Sequence, residues 1–305
     1  MSTTWLVTGA HGLLGHEMLA ELATDPDAEV TGLSRERLDI TDPAAVRDAV
    51  RGHRVVVNCA AWTDVDGAER SEAAATAVNG TGVRHLARAC ADSGALLLHV
   101  STDYVFPGDR RDPCPEDAPT APVNAYGRGK LAGERAVAEL LPHGGYVVRT
   151  AWLYGAHGRN FVSTMLELAA RRETLDVVAD QHGQPTWSRV LARRLAVLGR
   201  AALSGRAPAG TYHGTAAGHT TWYDLARETF RLAGLDPQRI RPVGSDKFPR
   251  PAARPAFGVL GHDNWARCGL PPLERWDDQL TAALAEPSFA ALAAAARENL
   301  ARLRT

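Results

Sequence analysis

Residues 5–15, Trp5-Leu6-Val7-Thr8-Gly9-Ala10-His11-Gly12-Leu13-Leu14-Gly15, decide how the chain is read. A short apolar run ends at Thr8, glycines follow at every third position, and an apolar pattern of helical period runs over 13–23. Glycine at Gly9, Gly12 and Gly15 would let the backbone turn tightly, let a pyrophosphate approach the helix N-terminus, and let helix pack on strand. Alone, such a trio is also compatible with a plain strand-to-helix turn. Its surroundings strengthen the nucleotide reading.

Outward from this turn, strand patterns at 29–33, 55–57, 95–102 and 146–150 alternate with helical ones. Pro43 opens one helix with Asp42 as its cap, and others span 78–93 and 126–141. Strand, helix, strand repeated in this way predicts an α/β fold with a parallel sheet covered on both faces. A surface loop rich in Pro, Asp and Gly is expected at 107–122. Beyond 155 the pattern loosens to a helix at 161–171, a strand at 175–179, a helix at 190–204, a strand at 211–213 and a last amphipathic helix at 222–233. Proline-rich residues 236–273 suit an irregular cover over a substrate, before an Ala-rich C-terminal helix. The expected division is a dinucleotide-binding part, 1–150 plus about 188–216, and a smaller interdigitated substrate part, about 151–187 plus 217–305.

Composition sets the outer bounds. The 305 residues are 45% apolar and 23% charged, which places the chain among ordinary globular proteins and against disorder. Thirty-four Lys and Arg nearly cancel thirty-five Asp and Glu, so there is no electrostatic case for nucleic acid as a partner. No apolar run is long enough for a membrane span and no signal-peptide pattern opens the sequence, so a cytoplasmic protein with no membrane partner is expected. Cys59, Cys90, Cys114 and Cys268 lie far apart, against structural zinc or a disulfide framework.

Three groups carry chemistry. In Tyr126-Gly127-Arg128-Gly129-Lys130 the i to i+4 spacing puts phenol and ammonium on one helical face, where the ammonium would lower the tyrosine pKa and fit it for proton exchange with a carbonyl oxygen. Ser101 and Thr102 end the fourth strand, where open sheets bind ligands; adjacent strand residues point oppositely, so only one hydroxyl should face the site. Ser34 and Arg35 end the second strand, where a basic residue would accept a 2′-phosphate, so NADPH is favoured with NADH as the other option.

With these residues in place the chain resembles the dTDP-4-dehydrorhamnose reductases, a family of extended short-chain dehydrogenase/reductases with a Rossmann-like, doubly wound parallel sheet. The carriers are TGAHGLLG from Thr8, the Asp39-Ile40-Thr41-Asp42 segment, NCAAWTDVDGAE from Asn58, STDYVFPG from Ser101, YGRGKLAGE from Tyr126, RTAWLYG from Arg149, NFVSTML from Asn160, DQHGQPT from Asp180, GTYH from Gly210 and RPAFGVL from Arg254. The resemblance implies reduction of the C4 ketone of a dTDP-4-keto-6-deoxyhexose, by default dTDP-4-dehydro-L-rhamnose to dTDP-L-rhamnose. It implies Tyr126 as proton donor, Lys130 as its tuner and holder of the nicotinamide ribose, and Thr102 as the hydroxyl that polarises the carbonyl. Gly12, Leu13 and Leu14 match the pyrophosphate loop, Asp39 and Ile40 the adenine contacts, and Ala60, Ala61, Trp62 and Thr63 the loop after the third strand. Asp103, Phe106, Trp152, Asn160, Gln184 and Arg254 stand in the motifs expected to meet the sugar nucleotide, Trp152 as an aromatic wall.

Cys59 stands where many members carry Ala, and the bulky Trp187 follows QPT where many have a small pair, which is expected to bear on sugar choice. Some relatives hold a divalent ion through glutamates at a dimer contact; Glu17 is suitably placed, but the sequence leaves the metal, and the choice between monomer and homodimer, open. Two alternatives accompany this reading: a 4-ketoreductase for another dTDP-deoxysugar of a natural-product pathway, and a non-catalytic nucleotide-binding subunit, which the intact Thr102, Tyr126 and Lys130 disfavour. A dehydratase would need a second carboxylate beside Asp103, and the motif lacks one.

Overall fold

The computed structural model describes residues 2–303. The first half delivers the expected alternation: β1 (Thr3–Thr8), α1 (Leu13–Leu22), β2 (Ala28–Leu33), α2 (Pro43–Val50), β3 (Val55–Asn58), two short helices α3 (Val65–Arg70) and α4 (Glu72–Thr76), α5 (Val83–Ser93), β4 (Leu96–Thr102), α6 (Ala125–Leu140) and β5 (Gly145–Thr150). The second half adds α7 (Phe161–Ala169), β6 (Leu175–Val178), α8 (Ser188–Leu203), β7 (Gly210–His213), α9 (Trp222–Leu232), β8 (Ile240–Val243), α10 (Trp276–Leu284) and α11 (Pro287–Leu303), with shorter strands between. As expected, Asp42 caps α2, its carboxylate accepting from the amides of Ala44 and Ala45.

Six parallel strands form one sheet in the spatial order β2-β1-β3-β4-β5-β7. Alternation along the strands builds a core on each face. Trp5, Val7, Val55, Val57, Leu98 and Val148 pack towards α1 and α8, whereas Leu6, Val56, Leu97 and Val147 pack towards α2, α5 and α6. The apolar stripe Leu191, Leu195 and Leu198, each fully buried, is what returns α8 to the sheet. Burying one such leucine contributes about 1.5–3 kcal/mol, enough for a stripe of three to fix the helix.

The chain leaves β1 outward to β2 and comes back on the other side at β3. The sheet therefore has its switch point between β1 and β3, where strand ends open a crevice for a ligand.

Three local features depart from the sequence reading. The helix expected at 78–93 begins as a π-helical turn over Ala77–Gly82. Gly82 lies so close to Ile40 that a Cβ would come within 2.7 Å of its side chain, and the widened turn aims Asn79 inward. Residues 236–273, read as irregular, contain β8, which pairs in parallel with β6 from Ile240↔Leu175 to Val243↔Val178. The helix at 222–233 is not the last amphipathic one, because α10 follows and buries Leu280 and Ala283.

Candidate active site

A cavity of about 780 Å³ runs along the carboxyl ends of β1, β2, β3, β4 and β5. The glycine turn forms its floor. Gly9 takes φ +66°, and a Cβ there would stand 2.6 Å from the amide nitrogen of Ala60, so a side chain is excluded by both backbone conformation and the approach of the β3 loop. Gly15 sits against the Gly9 carbonyl, packing α1 onto the turn rather than lining the cavity. No side chain caps the first turn of α1 at Gly12 and no acidic residue occupies it, so its amides and positive dipole end are open to an anion. The cavity is bordered there by Gly12, Leu13 and Leu14, and beyond them by Ser34, Arg35, Asp39 and Ile40.

The opposite wall is Ala60, Ala61, Trp62 and Thr63. Asn79, presented by the π-helical turn, clamps it: Trp62 donates its amide to Asn79 Oδ1 at 2.8 Å, and Asn79 Nδ2 donates to the Trp62 carbonyl at 3.0 Å. Below, Thr8 Oγ1 donates to Asn58 Oδ1 at 2.6 Å, and Asn58 Nδ2 contacts His99 Nδ1 at 3.0 Å. Burial holds the His99 imidazole well below its ordinary pKa, with the Lys130 charge adding to this.

The reactive groups meet where β4 ends. Thr102, Tyr126 and Lys130 all line the cavity. Asn124 caps α6 by accepting from the Gly127 amide, which fixes the turn that carries Tyr126. Lys130 Nζ donates to the Val100 carbonyl at 2.6 Å; burial lowers its pKa to about 8, opposed by the Glu134 carboxylate. Tyr126 behaves otherwise than its spacing from Lys130 predicts. Burial pushes the phenol above its ordinary value, the Asp103 carboxyl once ionised pushes it further, and only the Thr102 hydroxyl pulls it down. The proton is thus held firmly on the phenol.

Asp103 is itself unusual. It is buried, Thr102 Oγ1 donates to its Oδ1 at 3.0 Å, and burial raises its pKa to about 7. Ser101 and Thr102 both border the cavity, contrary to simple strand alternation, because the chain turns into a 3-10 turn at Asp103 and the cavity wraps around the strand end.

Trp152 also lines the cavity, with a left-handed φ of 47° that tryptophan rarely adopts. It stacks on Trp222 with ring centroids 3.4 Å apart, and Phe161 backs Trp222. The sequence reading missed Trp222, along with His11, Glu36 and Arg159, all of which border the cavity.

Several expected residues are not brought there. Phe106 lies in a satellite core under the Arg149 guanidinium, 4.8 Å from its ring centre. Asn160 caps α7 in a capping box. Gln184 joins three strands of chain, donating to the Ala216 and Leu260 carbonyls and accepting from the Leu260 amide. Arg254 pairs with Asp66 at 3.1 Å beside Tyr104, outside the cavity lining. Trp187 is buried, its amide bonded to Gln279 Oε1, and does not reach the cavity where it could bear on sugar choice.

Glu17, for which the sequence left a metal open, meets the Arg189 guanidinium, which lies between two carboxylates, 3.2 Å from Glu17 Oε2 and 2.6 Å from Glu286 Oε1. Among the described residues no group of three or more His, Cys, Asp or Glu could hold a metal ion, and no helix is long and apolar enough to cross a membrane.

Comparison with known proteins agrees with the geometry. A family model described as the RmlD substrate binding domain matches residues 3–288. The chain is 60% identical over 279 residues to a dTDP-4-dehydrorhamnose reductase of Streptomyces griseus, covering 91% of each chain. It is 52% identical to a dTDP-4-keto-6-deoxy-D-glucose reductase of Streptomyces niveus, over 93% of this chain and 97% of that one. A crystal structure of dTDP-4-dehydrorhamnose reductase from Bacillus anthracis in complex with NADP superposes with a TM-score of 0.88 at 35% identity, covering 93% of this chain and 99% of that one. A parallel switch-point sheet, a glycine turn and the set Thr102, Tyr126 and Lys130 around one cavity, together with these matches along nearly the whole chain, establish that it belongs to the dTDP-4-dehydrorhamnose reductase family.

Proposed function

We propose that the protein reduces the C4 ketone of a dTDP-4-keto-6-deoxyhexose with NADPH, converting dTDP-4-dehydro-L-rhamnose to dTDP-L-rhamnose in the cytoplasm. The observation that carries this reading is the convergence of Thr102, Tyr126 and Lys130 on the same cavity as the glycine turn.

The residues fit the cofactor. The uncapped turn at Gly12, Leu13 and Leu14 suits the pyrophosphate, Arg35 the 2′-phosphate, and the wall of Ala60, Ala61, Trp62 and Thr63 the chain between. When bound, the nicotinamide supplies a hydride to the C4 carbon. The protein's own part is the proton. Tyr126, kept neutral by burial and by Asp103, is loaded to give its O–H proton to the C4 oxygen as that oxygen becomes negative. Thr102, whose hydroxyl donates to Asp103 in the absence of substrate, would turn that proton to the carbonyl oxygen when the sugar binds, and Lys130, fixed on Val100, places a positive charge one helical turn away. Trp152 and Trp222 offer an aromatic surface to the apolar side of the sugar. Two parts share this work: residues 1–150 with about 188–216 hold the dinucleotide, and the rest hold the sugar nucleotide.

The similarity to the S. niveus reductase favours a second substrate, a dTDP-4-keto-6-deoxy-D-glucose, through the same residues. The test is NADPH consumption with each of the two keto sugars, the reduced sugar nucleotide being identified by mass. Turnover of the rhamnose precursor at the higher kcat/KM supports the proposal; turnover of the gluco sugar alone moves the protein to the second reading, and no turnover of either overturns both.

A further inference from the structure

The adenosine end of the cavity carries a carboxylate that the sequence reading did not use. Glu36 borders the cavity beside Ser34, Arg35 and Asp39. Ser34 is buried, and its hydroxyl donates its single proton to Glu36 Oε2. The same hydrogen bond, the backbone amide of Glu36 and the charges of His11 and Arg35 hold the Glu36 carboxyl below its usual range, so it is ionised at neutral pH. Asp39, also on the cavity border, has one oxygen engaged locally, its Oδ1 accepting both the amide and the hydroxyl of Thr41.

These contacts give the two forms of the cofactor opposite treatment. A ribose with a free 2′-hydroxyl can donate to a carboxylate acceptor. A 2′-phosphate near neutral pH carries about two negative charges and has no proton to give, so it gains from Arg35 and is repelled by Glu36. The Ser34 hydroxyl, already spent on Glu36, has no second proton with which to compensate.

We propose that Glu36 is the residue that sets the balance between the two dinucleotides, opposing the 2′-phosphate that Arg35 attracts and so keeping NADH usable beside NADPH. This rests on the cofactor reading above and adds its counterweight. Glu36 is exposed and makes no core contact, so its substitution tests recognition rather than folding.

The experiment titrates NADPH and NADH separately into the wild-type protein, Glu36→Gln and Arg35→Ala, following the fluorescence of the reduced nicotinamide, which needs no sugar substrate. Glu36→Gln should tighten NADPH by about tenfold, the worth of one near-surface charge contact with a dianion, and leave NADH equal or a few-fold weaker. Arg35→Ala should weaken NADPH by a similar factor and spare NADH. An unchanged NADPH to NADH affinity ratio in Glu36→Gln, with Arg35→Ala behaving as stated, overturns this inference and leaves the cofactor reading standing. Failure of the wild-type protein to bind either dinucleotide overturns both.

Discussion

Replacing Asp103 by Asn should abolish a loss of stability that wild type suffers between about pH 5 and pH 8, although Asp103 lines the candidate active site. Asp103 is 4% exposed, its Oδ1 has one partner in Thr102, and its Oδ2 is buried with none. Burial raises its pKa from 3.8 to about 7. In the unfolded chain the carboxyl ionises near 3.8, whereas in the folded chain it keeps its proton until about pH 7. The unfolded state therefore gains the ionisation energy first, and stability falls as pH rises between the two values. At 1.36 kcal/mol per pKa step the whole displacement amounts to about 4 kcal/mol, of which about 2–3 kcal/mol develops between about pH 5 and pH 8. Asn cannot ionise and carries none of this dependence. The assay is urea unfolding of wild type and Asp103→Asn at several pH values, comparing the free-energy difference between the two proteins rather than either alone. That difference should move in favour of the variant by about 2–3 kcal/mol from about pH 5 to pH 8, flattening above about pH 7. The amide's own packing and hydrogen bonding contribute an offset that does not vary with pH. A difference constant to about 0.5 kcal/mol across that range would refute the reasoning, since it would mean that the buried carboxyl titrates as it does in water.

Two further predictions follow from the same geometry. Tyr126→Phe keeps the ring but removes the proton, so kcat should fall by a factor of about 10² to 10⁴ while dinucleotide affinity stays within a few-fold; equal kcat in both proteins under steady-state assay would discard Tyr126 as donor. Because Arg189 bridges Glu17 and Glu286, chelation with EDTA should change neither kcat nor melting temperature, whereas Arg189→Ala should destabilise by about 2–3 kcal/mol. That figure is set below the 3–5 kcal/mol of a fully buried pair because the Arg189 side chain is 31% exposed; a loss of activity on chelation, restored by magnesium, would contradict the bridge.

The parts of the structure that the sequence made legible are those where one residue has one physical job. Gly9 at positive φ, Asp42 at a helix N-cap, Thr102 at a strand end, and the continuously apolar, wholly buried β3 all follow from local chemistry. What escaped depends on contacts between distant segments. Trp222 reads as an ordinary apolar residue opening a helix, and becomes part of the site only because Trp152, seventy positions earlier, turns onto it through a strained backbone. Asn160, Gln184 and Arg254 are polar residues inside recognisable motifs, but each satisfies buried backbone groups or a carboxylate that only the folded chain brings near. The spacing of Tyr126 and Lys130 places both on one helical face, yet spacing does not show that the Val100 carbonyl holds the ammonium or that burial and the Asp103 carboxyl raise the phenol pKa. Short α3 and α4 are too brief to show a period, and the π-helical turn that aims Asn79 at Trp62 has no sequence signature beyond the Gly80 and Gly82 within it.

The central claim is that a hydride reaches C4 of the sugar while Tyr126 supplies the proton. It is tested most directly by running the reaction with NADPH deuterated at the transferable position of the nicotinamide and locating the label in the dTDP-sugar by mass and proton NMR. The account predicts one deuterium at C4 of dTDP-L-rhamnose, formed by the wild-type protein and nearly absent with Tyr126→Phe. Label at another carbon, or no labelled sugar from a protein that binds both ligands, would contradict it.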